Sequence, residues 1–318
     1  MAIRNVVAAT VLLLASALPL ALSSENAMAS AKPPTDWTYY VASYDTSSKA
    51  QSLGCSQAGF DNSHSADSYV TMDFGAQRSD GAGTFLASTS IFWSNSADET
   101  YALWFAYGYQ SCSPSHVLTL SIGTSNDGTV TDGALGADWG AAVASVASNA
   151  SADGYSNVQI QGAVDAESGY GPFAHFQGWE LGDSSGGGYV SRTKLLISNF
   201  GDAAGCPQAL GNYVNQVCSG DWHLSSEYDA SYGWAPNLAN PEIYYNGCNG
   251  FANQPNQWAN ISDYGKHYGS LGQIIFEGPL DNAGNCLTAS QAWSDFQTAL
   301  SGDGVINAML YSTEIVTK

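Results

Sequence analysis

The sequence predicts an α/β fold, and more narrowly a single (β/α)8 TIM-like barrel that is irregular near its first strands. Two observations predict it. Short β-branched and aromatic runs alternate with longer segments of helical spacing, which implies parallel strands joined by right-handed crossovers. Seven or eight such units fit between residues 36 and 318, which suits a barrel better than an open doubly wound sheet. No Pro- or Ser-rich linker and no fixed-period repeat interrupts that stretch, so one domain is expected.

The first 29 residues read as an export signal. Arg4 supplies a positive start, residues 6–22 are an apolar run broken by Pro19, and Ala27-Met28-Ala29 has the small-residue spacing of a cleavage site. An uncleaved anchor is the rival reading, but Pro19 and the A-x-A site speak against it, and no later apolar run could span a bilayer. Residues 30–35 form a short leader. A secreted protein, extracellular or associated with a cell wall, is therefore expected.

Strands are expected at residues 69–75 (YVTMDFG), 117–123, 158–167 (VQIQGAVDAE), 194–200, 223–229 (HLSSEYD), 242–245, 273–277 and within 306–315. Residues 83–93 read as an extra strand, too close to the first for an intervening helix. Helices are expected at 137–149, 173–181, 207–217, 254–266 and 288–300, with another running to Tyr109 behind a Ser96/Glu99 capping box. Pro207 suits a first helical position.

Charge excludes several functions. Lys and Arg total 8 against 28 Asp and Glu, a formal net charge of −20. Phosphate backbones need clustered basic residues, so nucleic acid is not a partner. The five histidines are scattered, and no H-E-x-x-H, G-x-S-x-G, P-loop or G-x-G-x-x-G occurs. No cofactor and no metal are expected, with residues 127–132 a poor match to a calcium loop. A monomer is the expected state.

Six cysteines in an exported chain imply three disulfides. Fifteen pairings are possible, and sequence does not choose among them. Joining near neighbours pairs Cys55 with Cys112, Cys206 with Cys218, and Cys248 with Cys286. The chain has no C-x-x-C, which argues against a thiol redox site or a zinc ribbon.

In a barrel of this kind, chemistry sits at the C-terminal strand ends. Those ends carry Asp73, Asn126, Asp165 with Glu167, Asn199, Glu227, Tyr245 and Glu277. Asp165 and Glu167 stand out. Two residues apart on a strand, they share a face with Cα atoms roughly 6–7 Å apart. Such a pair can hold one acid protonated and its neighbour charged, as glycoside hydrolysis requires. The plainer alternative is two solvated acids opening a glycine-containing loop. Asp73 and Glu227 are auxiliary candidates. Asn126, Asn199, Tyr228, Trp234 and Tyr245 are candidates for contacting a sugar, since aromatic faces stack on sugar rings as well as filling cores.

Taken together, VTMDFG, LTLSIGTSN, GAVDAESGYG, ISNFGDAAGCP, NPEIYYNG, QWANISDYG and IIFEGPL resemble a group of secreted actinobacterial proteins of unassigned activity within the glycoside-hydrolase-like TIM-barrel superfamily. The resemblance runs from about Leu53 to Leu280. It implies that fold more than a reaction. The Asp165-x-Glu167 strand end is also similar to the D-x-E of family 25 lysozymes. That likeness implies Glu167 as the acid, Asp165 as its assistant and Asp73 as an acid of the first strand. No wider family 25 pattern is present. A carbohydrate-binding or surface barrel without turnover is the alternative expectation.

Overall fold

The computed structural model describes residues 31–43, 47–86, 89–125, 132–211, 213, 216–234, 237–302, 304 and 309–318. The expected export signal lies outside the described residues. The chain forms β1 (Thr35–Tyr40), α1 (Ser47–His64), β2 (Ser68–Gln77), β3 (Gly83–Phe85), β4 (Phe92–Ser94), α2 (Asn95–Ser111), β5 (Leu118–Ser125) and α3 (Gly133–Ala152). It continues with β6 (Val158–Asp165), α4 (Phe173–Leu181), α5 (Tyr189–Arg192), β7 (Ile197–Asn199), α6 (Leu224–Tyr228) and β8 (Asn237–Ala239). It ends with α7 (Gln254–Tyr268), β9 (Leu280–Asp281), α8 (Ala289–Gly302) and β10 (Ser312–Thr317).

Strands and helices alternate, and the sheet is parallel in the order β8-β7-β6-β5-β2-β1-β10-β9. It curls into a half-barrel. The expected irregularity near the first strands is real. β3 and β4 pair antiparallel with one another, and β3 pairs antiparallel with the end of β2. Parallel bridges Ala239–Phe276 and Glu242–Leu280 tie the region after β8 to the region before and at β9.

Pattern explains the layers. On β2, Val70, Met72 and Phe74 point outward into the main core under the helices. Thr71 and Asp73 alternate with them and point into the curl, as a period of two requires. The concave side is unusually polar. Gln161 Nε2 donates to Glu277 Oε1 at 3.0 Å, and Ser198 Oγ donates to Glu277 Oε2 at 2.5 Å. Side chains of β6, β7 and the segment before β9 therefore meet inside the curl. Glu277, expected at a strand end, is an interior acid.

Several expected elements move. β1 begins inside the expected leader, and α1 had no counterpart. The sequence of α1 (SSKAQSLGCSQAGFDNSH) has few large apolar residues. Its buried stripe is made of Ala50, Gly54 and Ala58, four apart. Residues 223–229 are not a strand. They form α6, where Leu224 and Tyr228 bury one face and Ser226 Oγ accepts from the His223 N–H at 3.2 Å. No helix occupies the described part of 207–217. A helix there would hold residues 206 and 218 roughly 18 Å apart, yet their disulfide brings the Cα atoms to 3.9 Å. α2 starts one residue before Ser96, with Ser94 as its cap, and Glu99 accepts from Ser145 instead of closing a box.

All three expected disulfides are present: Cys55–Cys112, Cys206–Cys218 and Cys248–Cys286. Among the described residues no helix is long and apolar enough to cross a membrane.

Cys55–Cys112 fastens α1 to α2, where two glycines allow close approach. A Cβ on Gly54 would lie 2.0 Å from the Phe105 carbonyl oxygen, and one on Gly108 would lie 2.0 Å from that of Gln51. Gly59, on the same helix α1, meets nothing within 4 Å. In an open helix, Gly→Ala gains up to ~1 kcal/mol. Overpacking costs about 1–3 kcal/mol, and here the obstacle is backbone that cannot swing aside. Urea unfolding should therefore show Gly59→Ala neutral or stabilising and Gly54→Ala destabilising by about 1–3 kcal/mol. A stabilising Gly54→Ala would mean that the two helices do not touch in this way.

Candidate active site

The C-terminal ends of neighbouring parallel strands bring acids together. Tyr40 ends β1 and pairs in register with Asp73 on β2. Asp165 ends β6 opposite Ser125 of β5. Glu242 follows β8 and bridges to Leu280 of β9. The turn after Asp165 is held from behind. Asn199 Oδ1 accepts from the Ala166 N–H at 3.2 Å and the Gly201 N–H at 3.0 Å, while its Nδ2 donates to Ser231 Oγ at 2.9 Å. A Cβ on Gly201 would fall 2.4 Å from the Ala166 carbonyl oxygen, so glycine is needed for this contact.

One oxygen each from Asp165, Glu167 and Glu242 lies within 4.8 Å of the other two. Asp165 and Glu242 are each only 6% exposed, and Glu167 is half-buried. Glu242 Oε1 accepts from the Tyr40 hydroxyl at 3.3 Å and from the Tyr244 hydroxyl. The Tyr170 hydroxyl bonds to Glu167. Asp165 Oδ1 has no hydrogen-bond partner.

Burial, then the Glu167 charge, holds both the Asp165 and the Glu242 carboxyl well above the usual carboxylate range. Burial alone raises Asp73 to about 6, against the pull of the Gly75 N–H at 2.9 Å. Asp202 is raised by burial too. Among the described residues, the ionic neighbours that act most strongly on Asp165, Glu227 and Glu242 are other acids. Two full charges at this spacing repel by at least about 3 kcal/mol at an effective dielectric near 20. Asp165 and Glu242 therefore favour their protonated forms beside Glu167. The same three oxygens are close enough to hold a cation. The other acid-bearing group, Cys206, Cys218 and Glu227, is not a ligand set, because both sulfurs are in a disulfide.

No family model, curated protein or solved structure matches the chain.

The remaining expected site residues divide. Asp73, Asp165 and Glu167 lie together. Glu227 sits behind them on α6, fully buried and raised by burial and then by Asp202. Asn199 braces the site wall, with both ends of its amide engaged inside the protein. Tyr228 is packing: it is buried, its ring lies where Cβ atoms on Gly265 and Gly269 would be, and its hydroxyl accepts from the Leu271 N–H. Trp234 stacks on Phe173 at 5.5 Å in the core under α4. Tyr245 stacks on Phe251 at 4.2 Å beside the Cys248–Cys286 loop. Asn126 lies outside the described residues. Glu242, Tyr40 and Asp202 escaped sequence reading. Pro241-Glu242 was visible, but residues 242–245 read as a strand's start, which put Tyr245 in place of Glu242 at its end.

Raised carboxyls make a stability prediction with a definite sign. Asp36 is lifted to about 8, and Asp229 and Asp281 to about 6, each chiefly by burial. The unfolded chain releases these protons near the ordinary Asp value. Between that value and about 8 the folded state thus binds more protons, and stability falls as pH rises. Thermal melts should show Tm highest in mild acid and falling through neutrality to pH about 8. A Tm that climbs over that interval would contradict the protonation pattern.

Proposed function

We propose that this chain is an exported glycoside-hydrolase-like protein that cleaves a carbohydrate by carboxylate acid catalysis on a full (β/α)8 barrel. The observation carrying the reading is the convergence of Asp165, Glu167 and Glu242 at C-terminal strand ends, with Asp73 beside them. Closure of the barrel is supported by the Ala239–Phe276 and Glu242–Leu280 bridges and by the interior contacts of Glu277. Export is supported by the N-terminal signal pattern and by three disulfides.

Glu167 is the donor in this reading, because it is the most exposed of the three acids. It passes its proton to the glycosidic oxygen as the C1–O bond breaks. The electron pair leaves with the departing alcohol. Asp165 or Glu242, each raised by burial and by the Glu167 charge at rest, hands its proton across the cluster to Glu167 and then carries negative charge against the cationic C1. Water then adds its hydroxyl to C1 and returns a proton to Glu167. Retaining glycosidases place their carboxyls about 5–5.5 Å apart and inverting ones about 6.5–9.5 Å apart. Nearest oxygens lying within 4.8 Å of one another favour the shorter of these separations. Retention of configuration is expected.

Binding without turnover is the second reading. It rests on the exposed aromatic surface of Tyr170 (38% exposed) and of Phe251 (54%) stacked on Tyr245.

A glycan panel assayed with wild type and Glu167→Gln separates the two. Cleavage by wild type, reduced about 10²–10⁴-fold in the variant at unchanged Tm, is expected for a general acid. Undiminished cleavage by the variant would remove Glu167 from the mechanism. Binding by both with cleavage by neither would establish the second reading.

A further inference from the structure

We infer that the stacked rings of Tyr245 and Phe251 form a rim subsite for one unit of an uncharged sugar chain, so that the substrate is a neutral polysaccharide running from the acids out across this edge. The inference rests on the carbohydrate reading above and names the substrate class within it. Consecutive rings join the acids to the platform. The Tyr244 hydroxyl bonds to Glu242. The Tyr244 and Tyr245 ring centroids are 6.3 Å apart, and Phe251 stacks on Tyr245 at 4.2 Å with 18° between the planes. Phe251 is thus within a few sugar units of Glu242.

Phe251 is 54% exposed. Tyr245 covers one face of its ring, so the exposure falls on the other face and the edge. The loop that carries the ring is fixed on several sides. Asn246 and Asn253 bridge across its base. The Gly247 N–H donates to the Ala252 carbonyl at 3.2 Å, and the Phe251 N–H donates to that of Cys248 at 3.0 Å. Cys248–Cys286 fastens the loop to the segment after β9, and the Tyr245 hydroxyl donates to Asn285 Oδ1 at 3.3 Å. A flat apolar face held in place before its ligand arrives loses little ordering entropy on binding. Aromatic faces of this kind stack on sugar rings.

A second observation concerns composition. Residues 244–253 (YYNGCNGFAN) and 282–287 (NAGNCL) contain no Lys, Arg, His, Asp or Glu, in a chain of net charge −20. They carry five asparagines instead: Asn246, Asn249, Asn253, Asn282 and Asn285. Asp295 on α8 meets them at Asn246, whose Nδ2 donates to it at 2.9 Å. Amides both donate and accept, which is the complement of sugar hydroxyls. An ionic ligand would find little counter-charge on these loops, and a lipid would leave the amides unpaired.

The test is calorimetric titration of the full protein. The probes are hexamers of β-1,4-glucan, β-1,4-xylan and N-acetylated chitin, their dimers, and an oligogalacturonate hexamer as the charged control. A neutral hexamer should bind more tightly than its dimer, with an affinity that salt leaves unchanged. Phe251→Ala should weaken that hexamer at least about fivefold, and Phe251→Tyr should restore it. Both variants should melt like wild type. Wild type also answers alone: NMR resonances of the Phe251 ring, assigned with Phe251→Tyr, should shift when the hexamer is added. Undiminished binding by Phe251→Ala, ring resonances that do not move, a hexamer no tighter than its dimer, preference for the charged hexamer, or no binding overturns the inference. Turnover is read on the same hexamers. Cleavage whose KM is unchanged in Phe251→Ala defeats the inference but keeps the hydrolase, while Phe251-dependent binding without cleavage does the reverse.

Discussion

Carboxylates buried beside one another must hold protons or meet a cation, and the C-terminal edge of this sheet places three of them together. Asp165, Glu167 and Glu242 come from two separate strand ends, so the parallel order of β6, β7 and β8 is what assembles them. Repulsion at that distance exceeds the gain from the phenol hydrogen bonds on Glu242. Burial adds to it, because desolvation disfavours charge. A site built this way is an acid poised to give up a proton.

Keeping like charges together requires the surrounding structure to resist their separation. The turn bearing Asp165 and Glu167 is braced by Asn199 and by the close approach of Gly201. The loop following Glu242 is anchored by Gln254, whose Oε1 accepts from the Tyr244 and Tyr245 N–H groups, and by the Cys248–Cys286 disulfide. Cys206–Cys218 ties down the long connection after β7, which also carries Asp202. Far from the acids, the Gly54–Gly108 contact sets α1 against α2 under the sheet. The disulfides and tight backbone contacts thus concentrate rigidity around loops that would otherwise relieve the repulsion.

Much of this was legible in the sequence, for identifiable reasons. β2, β5 and β6 are long and β-branched, so their periodicity survives reading, and α4 and α7 were found within a few residues of their ends. Asp165-x-Glu167 was visible because a period of two puts both acids on one face. α1 was illegible because small residues replace the large apolar stripe that signals a buried helix. Residues 223–229 were misread as a strand, although Leu224 and Tyr228 stand four apart, the spacing of one helical face. The share of the candidate site contributed by Glu242 depends on register between β8 and β9, a tertiary fact no local pattern contains. Tyr228 and Trp234 were aromatic residues near acids in sequence, but Tyr228 is buried in the core and Trp234, half-buried, packs against it.

The most direct measurement is carbon-13 NMR of the side-chain carboxyl carbons in selectively labelled protein, followed against pH and assigned with Asp165→Asn and Glu242→Gln. Protonated Asp165 and Glu242 predict carboxyl resonances from this site that remain in their protonated position at neutral pH, with each substitution shifting the transition of the other. Carboxyl carbons that all titrate independently near ordinary Asp and Glu values would contradict a buried, uncompensated acid cluster.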